Sequence, residues 1–363
     1  MDFEKLEISQ YLMLILMFMM GGAILANVGA GAGTDIMVLY LVAMVAGLVF
    51  VCMFYRILVL YDFRSFPYIF EKCFGYWGGK ILCVLYAFFY LVRTEVVAQS
   101  MTDMASDLLM NDAPRRLTMA ILLFTTLYGC YKGLRALGRS AQILVPLLIL
   151  CFLPFLLTVL QADAFSRENL HPMMTGSTQN FWLKTSSVAM FPFIEMPLLF
   201  GILSYKIERD KQRTLLRYGT IGTIISTLLL LGIGIINLSL LGKHLVSSLK
   251  YPFYNSMMLA GVHGVLERLD PLAVIIVITS GFYKVALLFY CWLEMVGALS
   301  QRLKRNWIII FTAILLFFGA PNLSYMSEKF LTVTLPFKVM PLFQIMIPVS
   351  IWVIAEVKHY FRR

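Results

Sequence analysis

Apolar runs long enough to cross a bilayer recur along this chain, and they leave few architectures open. A hydrocarbon core about 30 Å thick needs roughly 20 apolar residues at a rise of 1.5 Å each. Ten segments meet that need, near 9–32, 36–56, 80–106, 116–132, 141–161, 182–204, 217–242, 271–298, 306–323 and 339–357. The fourth is the shortest, and the third carries charges. None alternates strictly between apolar and polar residues, which argues against transmembrane β-strands. Only 14% of the 363 residues are charged and 60% are hydrophobic, whereas a soluble domain carries about 25% charged residues. A water-soluble fold of this size could not hide so much apolar surface. The chain opens with the acidic MDFEKLEIS, and the apolar run after it is too long for a signal-peptide core, so no cleavable signal is expected.

The net charge of +10 resembles that of a nucleic-acid binder. Threading ten spans with the N-terminus inside gives another origin for it. Of the 30 Lys and Arg, 19 then fall in inner segments and nine in outer ones, while Arg93 and Lys284 stay within spans. Such a bias marks the cytoplasmic side. It predicts a multi-pass protein of the cell membrane with both termini in the cytoplasm, and it argues against a nucleic-acid partner.

No soluble domain fits between the spans, so residues 1–363 form one integral-membrane domain. Two amphipathic pieces, 66–75 and 253–269, read as caps on the inner and outer faces. The six cysteines, at 52, 73, 83, 130, 151 and 291, form no CxxC and read as buried small residues. Four histidines without HExxH spacing give no metal site, and no cofactor is called for. GxSxG and P-loop motifs are absent, and no histidine lies inside a span, so catalysis is not expected.

Two spans are internally broken. The first contains GGAILANVGAGAG from Gly21 to Gly33, with five glycines in thirteen residues. Each weakens a helix by about 1 kcal/mol relative to Ala, although close helix packing would use the same small residues. The sixth contains MFPFIEMPLLFG, in which Pro192 and Pro197 bracket Glu195. A carboxylate between two helix breakers at mid-membrane is costly and is usually paired or functional. Spans one and six each open a set of five, 9–161 and 182–357. Because five is odd, the second set crosses the membrane in the opposite sense. This predicts an all-α 5+5 inverted repeat whose discontinuous helices meet at the midplane. Their free N–H and C=O ends suit a zwitterion such as an amino acid.

Polar residues also stripe other spans. Glu95, Gln99, Thr102 and Ser106 share one face of span three, with Arg93 about 200° away. Span eight carries Thr279, Tyr283, Tyr290 and Glu294, with Ser280 and Lys284 one step around. Lys284 needs either an anion or a neutral form, and as anions Glu195 and Glu95 are both open to it. Arg93, Glu95, Glu195, Lys284 and Glu294 are thus the candidate buried charges for an ion or proton path. An interhelical hydrogen-bond seam is the alternative reading of the stripes.

The chain resembles the spore germination permeases, the integral-membrane B subunits of bacterial germinant receptors and relatives of the amino acid–polyamine–organocation transporters. The resemblance rests on GGAIL with GAGAGTD, RSFPYIFEKCFGYWGGKI, GLRALGRSAQILVP, NLHPMMTGS followed by FPFIE, and KYPFYNSM with LERLDPLAV, in that order along nearly the whole chain. It implies ten helices in a LeuT-like 5+5 fold, discontinuous in helices one and six. It implies that a small germinant, an amino acid being the first expectation, binds among helices one, three, six and eight. By carry-over the contacts are Gly21, Gly22, Ala23, Ile24 and Leu25 in the first break, and Phe191, Pro192, Phe193 and Glu195 in the sixth span. Tyr90, Thr94, Tyr283 and Leu287 would face them. It also implies two partners, an A subunit and a C-subunit lipoprotein, in the inner membrane of the spore. A working amino acid/cation transporter is the alternative function.

Overall fold

The computed structural model describes residues 5–24, 29–109, 114–159, 165–171, 178–261, 269–299, 305–323 and 339–361. Leu25 of the first break and the end of the outer amphipathic piece, 262–268, lie outside them. The long apolar runs fold as helices: α1 Ile8–Ala23, α2 Ile36–Leu60, α3 Phe66–Leu108, α4 Arg115–Lys132, α5 Leu134–Val159, α6 Thr178–Val188, α7 Glu195–Leu203, α8 Leu215–Ser248, α9 Pro252–Leu259, α10 Asp270–Leu299, α11 Arg305–Leu323 and α12 Ile347–Tyr360. Among the described residues the β-structure is a single isolated parallel bridge between Leu6 and Ile207. Among the same residues, seven helical stretches are long and apolar enough to cross a membrane, and Ile8–Ala23 and Asn306–Phe318 are shorter apolar helices. The protein is an all-helical, multi-pass membrane protein.

Helix ends follow local chemistry. Pro67 sits in the first turn of α3, where a missing N–H costs nothing. Gly75, at φ 77°, turns the chain within that helix, so the inner amphipathic piece leads into the third span instead of standing apart. The single residue Gly133, at φ 94°, divides α4 from α5. The outer amphipathic piece begins as α9, with Pro252 at its start.

The faces are arranged for lipid outside. On α2, Leu41, Val45 and Val49 recur every four residues and are exposed, while Leu39, Ala43, Gly47 and Phe54 are inside or face neighbours. On α5, Ile143, Leu147, Leu150 and Leu157 are exposed, and Ala141, Val145, Leu148 and Phe155 are buried. A soluble monomer rarely exposes contiguous apolar patches beyond a few hundred Å². Because lipid is as apolar as leucine, helix association here depends on close packing and polar contacts. A Cβ on Gly222 of α8 would stand 2.8 Å from Ile15 of α1, and one on Gly47 of α2 would stand 3.1 Å from Phe193. α10 lies at the centre, packed most extensively on α3 and then on α1.

Ion pairs collect at the rims. Arg56 of α2 grips Glu356 of α12 through both carboxylate oxygens, at 2.6 and 3.2 Å. At the other end Asp107 of α3 accepts from Lys250 at 2.6 Å and from the Tyr251 hydroxyl at 2.9 Å.

Candidate functional site

Both anticipated breaks exist. α1 keeps helical geometry to Met20, then Gly21 (ψ 69°) and Gly22 (φ 136°) leave it. A side chain at Gly22 would need a conformation that L-residues rarely adopt. A Cβ at Gly21 would run into the Ser280 carbonyl oxygen, so the break lies directly on the α10 backbone. The sixth span divides into α6, a wide π-type turn over Ala189–Ile194 and α7. The break centres on Phe191 (φ −138°, ψ 111°), ahead of Glu195. Glu195 is thus the first residue of α7, where the positive end of the helix dipole favours a carboxylate. Pro197 falls in the first turn of α7, where its lost N–H is harmless.

Glu195 joins the halves. It receives Arg93 of α3 through Nε at 2.9 Å and Nη2 at 2.7 Å, both on Oε1. Lys284 of α10 stands 2.8 Å from the other oxygen, Oε2. All three are buried, at 4%, 2% and 0% exposure for Arg93, Glu195 and Lys284. Of the two carboxylates open to Lys284, the partner is Glu195. Phe191 covers the cluster, its ring 3.8 Å from Lys284 Nζ and 5.0 Å from Arg93 Cζ, and Phe18 of α1 lies 4.4 Å from Lys284 Nζ. Aromatic faces offset part of the cost of burying these cations. The first break closes the ring: a Cβ at Gly22 would stand 3.0 Å from the Phe191 ring and 3.1 Å from Lys284 Cδ. With all three groups ionised, the cluster carries two positive charges and one negative.

The remaining candidates distribute around this centre. Ala23 and Ile24 are buried just beyond Gly22. They line a small cavity of about 20 Å³ with Asn237, room for about one water molecule. Pro192 is buried and joined to Phe191 by a cis peptide bond. Phe193 turns away from the charges toward α2, edge-on to Tyr40 at 6.2 Å. Tyr90 is buried among Tyr86 and Phe89, and Thr94 spends its hydroxyl on the Tyr90 carbonyl at 2.7 Å. The face of α10 that meets the breaks is that of Ser280 and Lys284. The stripe one step around looks elsewhere: Tyr283 donates to Ser140 of α5 at 2.7 Å, and Tyr290 and Glu294 meet Lys206 just past the C-terminal end of α7. Leu287 is fully buried in the same helix.

That end holds a second charged cluster, in which sequence reasoning missed Lys206 because it reads as a loop residue. Lys206 Nζ reaches Glu294 Oε1 and the Tyr290 hydroxyl, each at 2.6 Å, and Tyr205 donates to Glu294 Oε2. The Lys206 carbonyl accepts from Leu6 N–H at 2.9 Å, tying the segment before α1 to the same point. Glu294 stood among the candidate buried charges, with Tyr290 on the same stripe; the signal for their partner was the position of Lys206 soon after an apolar run.

Two helix breaks closing on a buried ion cluster inside a lipid-facing bundle define a permease-type membrane protein. The chain belongs to the spore germination protein family, whose spore permease model matches residues 5–322. It is 23% identical to spore germination protein KB of Bacillus subtilis (strain 168) over 307 residues, covering 84% of this chain and 81% of that protein. Crystal structures of two mutants of the Eremococcus coleocola manganese transporter superpose with a TM-score of 0.60 at 11% identity. Each comparison covers 96% of this chain and 74% of the transporter. This likeness is one of fold. Among the described residues no group of three or more His, Cys, Asp or Glu comes together as a metal site.

Proposed function

We propose that this chain is the germinant-sensing membrane subunit of a spore germinant receptor. The observation that carries the reading is the convergence of both helix breaks on Arg93, Glu195 and Lys284 with one positive charge in surplus. A zwitterionic amino acid fits such a centre. Its carboxylate answers the surplus charge, and the opened backbone around Gly21–Ile24 and Phe191–Phe193 offers partners to its ammonium group. Phe191 and Lys284 occupy the break in the present conformation, so ligand entry displaces the Phe191 ring. A ligand then shifts the bundle only by binding its two states unequally.

The same reading takes the fold as ten spans in two inverted sets of five, 9–161 and 182–357, within one membrane domain. It places both termini in the cytoplasm and the protein in the inner membrane of the spore. It assigns an A subunit and a C-subunit lipoprotein as partners, and no enzymatic activity. The second reading, an amino acid/cation transporter, draws support from the fold shared with a manganese transporter. Vesicles containing this chain alone separate the two. Binding of a labelled amino acid without gradient-driven accumulation supports the receptor reading, and robust accumulation contradicts it.

A further inference from the structure

Glu95 stands apart from the cluster just described. It is 2% exposed, and neither of its carboxylate oxygens has a hydrogen-bond partner among the described residues. On α4 the hydroxyl of Thr126 is fully buried and equally without a partner among them.

The helix register sets these two opposite one another. Thr102 of α3 donates to the Met119 sulfur of α4 at 3.1 Å, and Ser106 donates to Thr118 at 3.2 Å, so the helices run antiparallel. Two turns along each helix from Thr102 and Met119, on the same faces, lie Glu95 and Thr126. α10 closes the site at this level: the Cys130 thiol of α4 donates to the Ala286 carbonyl at 3.4 Å, and a Cβ on Gly129 would stand 3.4 Å from the Phe282 ring.

Charges on the surrounding helices are engaged elsewhere. Arg93 and Lys284 meet Glu195, and Glu294 meets Lys206. On α12, Glu356 is held by Arg56, and Lys358 by the carbonyls of Lys72 and Cys73. On α11, Arg305 is the ionisable residue, at the start of the helix. On α4 the remaining ionisable groups are Arg115 and Arg116 at its start, and Tyr128, Tyr131 and Lys132, which are exposed. Among the described residues, a carboxylate left ionised here would be buried without a counter-charge or a hydrogen bond, which is far more costly than holding a proton. Two carboxylate oxygens and one hydroxyl are too few to replace the oxygen shell of a metal cation.

We propose that Glu95 is a proton-binding site. While the α3–α4 seam is shut, as here, Glu95 is a neutral carboxylic acid facing Thr126. It ionises only when water enters the seam: the carboxyl O–H bond breaks, the proton passes to that water, and the water solvates the carboxylate. The site is separate from the germinant centre and stands whether or not that centre binds an amino acid.

Infrared spectroscopy of the full-length chain in lipid at neutral pH tests this. A protonated-carboxyl C=O band is expected that is lost in Glu95→Gln. In Glu95→Asp it moves, because the shorter acid absorbs at a different frequency, and in D₂O it shifts slowly because the seam must wet first. Absence of the band at neutral pH, its survival in Glu95→Gln, or its immediate exchange in D₂O would overturn the proposal. Should Glu95→Gln not fold, Glu95→Asp decides, since an unmoved band there does not arise from residue 95 and contradicts the site.

Discussion

Glu195 holds two buried cations, so its removal and theirs have different consequences. Glu195→Gln leaves Arg93 and Lys284 facing each other without an anion. Breaking a buried pair in this way costs about 3–5 kcal/mol. Lys284→Met instead leaves a balanced Arg93–Glu195 pair and an apolar side chain of similar length. Thermal unfolding of the purified variants should show a large loss for Glu195→Gln and a much smaller one for Lys284→Met. Equal losses would mean that the surplus charge is not borne as described. Part of this was legible in the sequence. Glu195 between two prolines, and Lys284 alone in an apolar run, announced a buried pair. The choice of Glu195 over Glu95 was not legible, because both are carboxylates in spans and only the packed bundle separates them. Thr126 gave no signal at all, since a threonine in a membrane helix normally bonds its own backbone.

At the level of elements, the breaks are the testable feature. Gly22→Leu would force a branched side chain to φ 136° and push it against Phe191 and Lys284. Such a backbone position costs about 1–3 kcal/mol. Ligand binding should be lost while the chain remains folded in the membrane, as judged by size-exclusion and circular dichroism. Unchanged binding would place the pocket elsewhere. At the C-terminal end of α7, Lys206→Met should free α7 from α10 and loosen the Leu6 contact. Hydrogen exchange should then rise around Leu6 and 204–207, and unchanged protection would show that the cluster does not hold the helices together. The existence of the breaks could be read from glycine and proline spacing. Their detail could not. Two prolines around Glu195 suggested a break centred there, whereas the backbone opens at Phe191 and Glu195 begins the next helix. The polar stripe of α10 misled similarly, because a one-step rotation decides which face meets the glycines.

For the whole molecule, the asymmetry of Lys and Arg predicts a topology. Single cysteines placed at 209–214 should react with a membrane-impermeant reagent only from the inner side, and those at 114–116 only from the outer side. The opposite pattern would invert the assignment of the termini. Apolar runs made the all-helical, multi-pass architecture the most legible feature of the three scales, because bilayer thickness dictates span length whatever the packing. On the proposed function, the paired breaks and the surplus positive charge form an amino-acid centre. Titration calorimetry of the full-length chain with a panel of L-amino acids and their carboxamides tests it most directly. At least one amino acid should bind, and its carboxamide should bind at least tenfold more weakly, about 1.4 kcal/mol. A carboxamide binding as tightly as its acid, or a panel with no binder, would contradict the account.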